Sequence, residues 1–190
     1  KFDSVKEAQI EVGLGPLHTQ FDKDGYAYTS LFLESAIAKW SLGEPYFSAN
    51  QAWKLQDKVS VNYNIGHLSC LEGDTVTPGK GYCVALNKWA IDRFNKVGPL
   101  LPQNFQLVDT SGDKMRVIYD LPIPNAEPHY VQIVDAKKLN PIDKYEIGTN
   151  PYTMKKSPYA IVGGEERIER NGRQVTVYMT LIRSHLKPDN

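Results

Sequence analysis

The sequence predicts an all-β fold assembled from repeated antiparallel sheets. Short runs rich in β-branched and aromatic residues recur along the chain, Gly, Asp, Asn and Pro bound them, and no stretch sustains an amphipathic helical period. In chain order, strands are expected over Ala27–Leu33, Lys58–Tyr63, Gly81–Leu86, Met115–Tyr119 and His129–Val134. Arg167–Arg170 and Arg173–Met179 flank Asn171-Gly172, a pair that accepts the positive φ angles of a tight type I′ turn, so a hairpin is expected there. The Pro- and Gly-bearing stretch between Pro141 and Glu166 has little periodicity and reads as an extended connection.

A weak repeat underlies these strands. Gly25-Tyr26-Ala27-Tyr28 resembles Gly81-Tyr82-Cys83-Val84. A histidine precedes each copy (His18, His67) and a Lys-Trp pair follows it (Lys39-Trp40, Lys88-Trp89). With His129, the histidines recur at intervals of about 50 to 60 residues, near the period of propeller blades once loop insertions are allowed. The inner strands of a propeller line one channel, so equivalent positions on successive blades converge there.

Composition excludes several classes. Lys plus Arg, 22, equals Asp plus Glu, 22, which leaves no net field to draw in nucleic acid or an anionic membrane. No apolar run is long enough to cross a bilayer, so no membrane insertion is expected. The start lacks Met and the apolar core of a signal peptide, and the end follows closely on a strand-like run, so a piece of a longer protein is expected. Cys70 and Cys83 make no zinc pattern; they read either as two small buried apolar residues or as one bridge closing a hairpin loop. Asp22-Lys23-Asp24-Gly25 starts like a calcium loop, but Ala27 and Leu33 stand where that loop needs glycine and glutamate, so it reads as a turn.

His18, His67 and His129 are the candidate metal ligands. Each sits beside a residue that restricts or tightens the backbone (Pro16, Gly66, Pro128) and next to an expected strand, where a ligand is held rigidly. His185 lacks such a setting. Imidazoles without accompanying thiolates or carboxylates suit zinc, copper or iron, and their spacing alone does not name the metal.

The stretch Leu14-Gly15-Pro16-Leu17-His18-Thr19-Gln20-Phe21-Asp22 resembles a signature of nitrous oxide reductases. Gly66-His67, Val84–Lys88, Asp92–Phe94, Val97–Leu100, Asp109–Met115, Ala126–His129 and Val177–Thr180 extend the resemblance, in order, over nearly the whole chain. It implies a seven-bladed β-propeller, of which residues 1–140 supply the last blades. Residues 141–190 become the connection and final hairpin leading toward a cupredoxin domain that is missing here. It further implies periplasmic homodimers, with a sulfide-bridged four-copper cluster held by seven histidines in the propeller and a binuclear copper in the cupredoxin domain. Calcium is implied too, its ligands unassigned. His18, His67 and His129 match the last three cluster ligands, and Lys88 and Glu127 match a polar pair at the cluster's open edge.

The implied reaction is two-electron reduction of N2O to N2 and water, the last step of denitrification. Electrons come from a small donor such as a c-type cytochrome or a cupredoxin. Lys88 would stabilise and protonate the developing oxygen anion, with Glu127 orienting it. The remaining cluster ligands are absent, so this chain alone is expected to be inactive, and Tyr130 stands where many members have Asp. Two competing readings are a non-catalytic propeller module that binds a partner through its face and a quinoprotein-type propeller oxidoreductase; neither requires the three histidines.

Overall fold

The computed structural model describes residues 2–88, 103–123, 128–139, 162–170 and 173–180. The chain divides into two compact units, Lys1–Asp135 and Ala136–Asn190. All-β is the architecture: among the described residues the helical content is one 3₁₀ turn at Ala136–Lys138.

The first unit holds two four-stranded meanders. Strands β1 (Pro16–Phe21), β2 (Tyr26–Leu31), β3 (Ala36–Ser41) and β4 (Leu55–Ser60) form one sheet in that order. The other contains β5 (Ile65–Cys70), β6 (Tyr82–Asn87), β7 (Asn104–Asp109) and β8 (Arg116–Pro122), again in order, and all neighbours are antiparallel. The repeat seen in sequence therefore has a structural counterpart. Gly25 and Gly81 each open the second strand of their sheet with a positive φ, 85° and 103°, which an L side chain rarely adopts. The Lys-Trp pairs are not equivalent, however: Lys39 and Trp40 lie on the third strand β3, whereas Lys88 follows the second strand β6. Asp22–Gly25 is a turn, as expected, in which the Asp22 carboxylate accepts the N–H groups of Asp24 and Tyr26 and the Tyr28 hydroxyl.

One apolar core joins the sheets. Tyr28 and Ile37 from the first pack with Ile65, Leu68, Cys70, Cys83, Ala85, Val108 and Met115 from the second. Polar links close its outer side: Lys39 Nζ donates to Gly112 O at 3.1 Å, and Asp57 accepts the Met115 N–H at 2.7 Å while pairing with Lys114 at 2.9 Å. The crossover between sheets is pinned by Asn64, whose amide N–H donates to Ser35 Oγ and whose side chain donates to Phe32 O. On the far face of the first sheet, Leu31, Ala36 and Ala38 pack against Val12 of the N-terminal segment.

Cys70 and Cys83 are directly opposed across β5 and β6 and form a disulfide, which settles the alternative left open by the sequence. The loop it closes is tied to its surroundings. Gly73 O and Gly79 O accept the N–H groups of Phe21 and Lys23, and Glu72 N–H donates to Ile133 O.

The segment His129–Val134 is not a strand. Its Val131/Ile133 alternation favours extended backbone, but a ladder needs a partner, and among the described residues its pairing is an isolated bridge between Ile133 and Leu71. In the second unit, β9 (Val162–Arg170) and β10 (Arg173–Thr180) pair antiparallel from Arg173↔Arg170 onward, the hairpin expected there. Asn171-Gly172 and the connection 140–161 lie outside the described residues.

Two outcomes follow. Asp57→Ala leaves the buried Met115 N–H without an acceptor and should cost about 1–3 kcal/mol at neutral pH. Burial alone would raise the Asp57 pKa, but Lys114 and the Met115 amide outweigh it and hold the carboxyl below its ordinary value. Its contribution is thus complete above the unfolded-state pKa of about 4 and fades as pH falls through the folded value, so the stability gap to Asp57→Ala should narrow below about pH 4 in thermal unfolding. Alkylation of the denatured, unreduced chain should label neither cysteine.

Candidate metal centre

Strand alternation places His18 and Gln20 on the same face of β1. That face meets β5, the edge strand of the second sheet. Alternate N–H groups of β5 point away from β6 and have no strand partner among the described residues. His18 Nδ1 accepts the N–H of Leu68 at 3.2 Å, and Gln20 Oε1 accepts that of Cys70 at 2.6 Å. Two side chains two residues apart thus satisfy two amides two residues apart.

Both inner strands break register at their histidine. The β1–β2 ladder shifts between Pro16 and Thr19, and the β5–β6 ladder shifts between Ile65 and Leu68. Such irregularities re-aim a side chain. At the first break the Ser30 hydroxyl stands in for the ladder, taking the His18 N–H at 3.1 Å and donating to the His18 carbonyl at 3.4 Å. His18 and His67 occupy the third position of their strands, so the repeat presents them equivalently. They lie within strands rather than beside them, and His129 follows Pro128 in an irregular segment.

The three imidazoles come together. The rings of His18 and His67 are 5.1 Å apart and those of His67 and His129 are 4.6 Å apart, centroid to centroid. Lys88, buried at the end of β6, brings Nζ to 3.0 Å from His129 Nδ1. Glu127, the other expected member of the polar pair, lies outside the described residues. The rings of Tyr130 and His67 meet edge to face with centroids 6.5 Å apart, while the Tyr130 hydroxyl donates to Asp74 at 3.5 Å.

The chemistry of this set suits a metal. His67 Nδ1 is buried with no hydrogen-bond partner among the described residues, and such a nitrogen calls for a ligand. Burial first, then the Lys88 charge and the neighbouring rings of His18 and His129, push the His67 pKa below its ordinary value, which keeps the ring neutral and able to donate a lone pair. Among the described residues no three His, Cys, Asp or Glu side chains are arranged to hold a single ion.

Sequence reasoning missed Gln20 and Ser30. The period of two carried a signal for Gln20, because a residue two beyond His18 on a strand shares its face. Ser30 carried none, since its role depends on a register break.

Two successive meanders, each presenting a histidine from its innermost strand, define the blades of a β-propeller protein. The family model of the nitrous oxide reductase propeller repeat matches residues 58–129. The chain is 38% identical over 183 residues to the nitrous-oxide reductase of Ralstonia nicotianae, and 37% identical over 183 residues to that of Cupriavidus necator. It is 38% identical over 178 residues to the nitrous-oxide reductase of Stutzerimonas stutzeri. These matches cover 90–95% of the chain but 27% of each relative, so it spans about a quarter of their length. Over nearly its whole length, then, the chain is similar to nitrous-oxide reductases, and the stretch that matches their propeller repeat includes strands β5 to β8.

Gln20→Leu removes the acceptor of the buried Cys70 amide and should destabilise the protein by about 1–3 kcal/mol. Faster hydrogen exchange at the Leu68 and Cys70 amides than elsewhere in β5 and β6 would locate the loss at the seam between the sheets. A uniform acceleration would place it elsewhere.

Proposed function

We propose that this chain is the part of a copper-dependent nitrous-oxide reductase that supplies three of the seven cluster histidines, His18, His67 and His129. The observation that carries this reading is their convergence, with Lys88 on His129, in a chain similar to nitrous-oxide reductases over nearly all its length. The parent protein reduces N2O to N2 and water with two electrons and two protons. When bound, a sulfide-bridged four-copper cluster supplies both electrons to a kinetically inert substrate. The chain's own residues hold it and manage protons. Neutral imidazoles suit copper, and the row of rings offers separate donors. In this reading Lys88, whose Nζ lies 3.0 Å from His129 Nδ1, would stabilise negative charge on the departing oxygen and deliver a proton, with Glu127 orienting it.

The rest of the proposal concerns the parent. A cupredoxin domain with a binuclear copper takes electrons from a small donor such as a c-type cytochrome or a cupredoxin; the protein is a homodimer and also binds calcium. A periplasmic location is consistent with the Cys70–Cys83 disulfide, which persists in oxidising compartments. No helix among the described residues is long and apolar enough to cross a membrane.

The full-length protein should contain copper and reduce N2O, whereas the 190-residue chain alone should not turn over. Lys88→Ala in the full-length protein should keep copper per chain and the cluster spectrum while lowering turnover by about 100-fold or more, because a proton donor acting in the transition state is lost and no ligand is. Copper loss in that variant would make Lys88 structural. A copper-free full-length protein would favour a non-catalytic propeller module.

A further inference from the structure

We propose that Gly66 is a positioning residue whose missing side chain leaves the passage by which Lys88 reaches His129. The proposal rests on the functional reading above and adds to it the element that aims the proton donor. Gly66 is buried on β5, directly before His67. Its need for glycine is not conformational: Gly13, Gly15, Gly25 and Gly81 take positive φ angles, and Gly66 does not. The need is one of space. A Cβ at Gly66 would overlap Lys88 Cε, lie 2.5 Å from Cδ and lie 3.0 Å from Nζ. The stem of Lys88 therefore runs across the bare backbone of β5 to place Nζ 3.0 Å from His129 Nδ1.

The two ends of this arrangement differ in stiffness. The backbone of Lys88 is fixed, because its N–H donates to Asn64 O at 3.2 Å and the preceding Asn87 is fully buried and bonded to Asn104 and Gln106. β5 is held on one side by β6 and the disulfide and on the other by His18 and Gln20. The lysine side chain is the soft partner, since rotation about its terminal torsions costs less than shifting a paired strand. A methyl group at Gly66 would displace Nζ from His129 while leaving the strand, and with it His67, in place. The residue before the histidine is glycine on β5, whereas on β1 it is Leu17.

The test uses Gly66→Ala, Lys88→Ala and the double variant in the full-length holoenzyme, with copper per chain, the cluster absorption spectrum, kcat and KM for N2O, and a crystal structure of Gly66→Ala. The expected result is copper and spectrum as in the wild type, kcat lowered by at least about tenfold with KM little changed, and a double variant no slower than Lys88→Ala. The crystal structure should show Nζ beyond hydrogen-bonding distance of His129 Nδ1. Copper loss in Gly66→Ala that persists in the double variant would overturn the proposal, because the methyl group would then be disturbing His67 and not Lys88. Nζ still bonded to His129 in the crystal structure would overturn it as well, as would a kcat loss that adds to that of Lys88→Ala. If Lys88→Ala is itself fully active, the catalytic role assigned to Lys88 fails, and the Nζ position in the crystal structure still decides the role of Gly66.

Discussion

Among the described residues no strand covers the outer edge of β5, and the N–H groups of Leu68 and Cys70 point from it toward the neighbouring sheet. Buried amides without acceptors are costly, and a bare edge invites the wrong partner. The chain meets both hazards with side chains rather than with a fifth strand in that sheet: His18 and Gln20 reach across from β1 and accept the two hydrogens. This constraint fixes the separation of the two sheets at their inner ends. Ile65 and Leu68 can then pack against Tyr28 and Ile37, and the rings of His18 and His67 are brought to within 5.1 Å of each other. One ring thus serves as mortar between blades and as a candidate ligand.

That double use limits how the ring can be changed. In its neutral form His18 accepts the Leu68 N–H at Nδ1, so its proton resides on Nε2. Asparagine could accept the Leu68 amide but could not serve as an imidazole donor. At the outer side of the same interface, Lys39 and Asp57 from the first sheet dock on the loop before β8.

Much of this was legible in the sequence. The alternating strands, the Gly-Tyr repeat, the Asn-Gly hairpin and the three histidines all announced themselves by pattern, and similarity of motif then selected Lys88. What escaped was the set of strands whose composition is unlike a strand. β1 opens with Pro16, β3 is rich in alanine, β5 has Gly66 near its start, and β7 carries Asn104, Gln106 and Asp109 although all six of its residues are buried. In β7 Asn104 and Gln106 are satisfied by Asn87 and Asp120, partners on neighbouring strands that no local window contains, while Asp109 is met nearer by, from Ser111 and Arg116. His129–Val134 failed in the opposite way: its residues favour a strand, and its neighbours supply one point of pairing.

The covalent bond between Cys70 and Cys83 joins residues that face each other across β5 and β6. A strand sliding past its neighbour by one residue exchanges its two faces, and by two residues it restores them about 7 Å away. On β5 the first slip would offer Leu68 where His67 now stands, and the second would carry His67 clear of His18 and His129. Hydrogen bonds permit either slip, because every N–H finds another carbonyl. A bridge between opposed residues permits neither, so it acts as an indexing pin that leaves one alignment of β5 against β6, the one in which the three imidazoles meet.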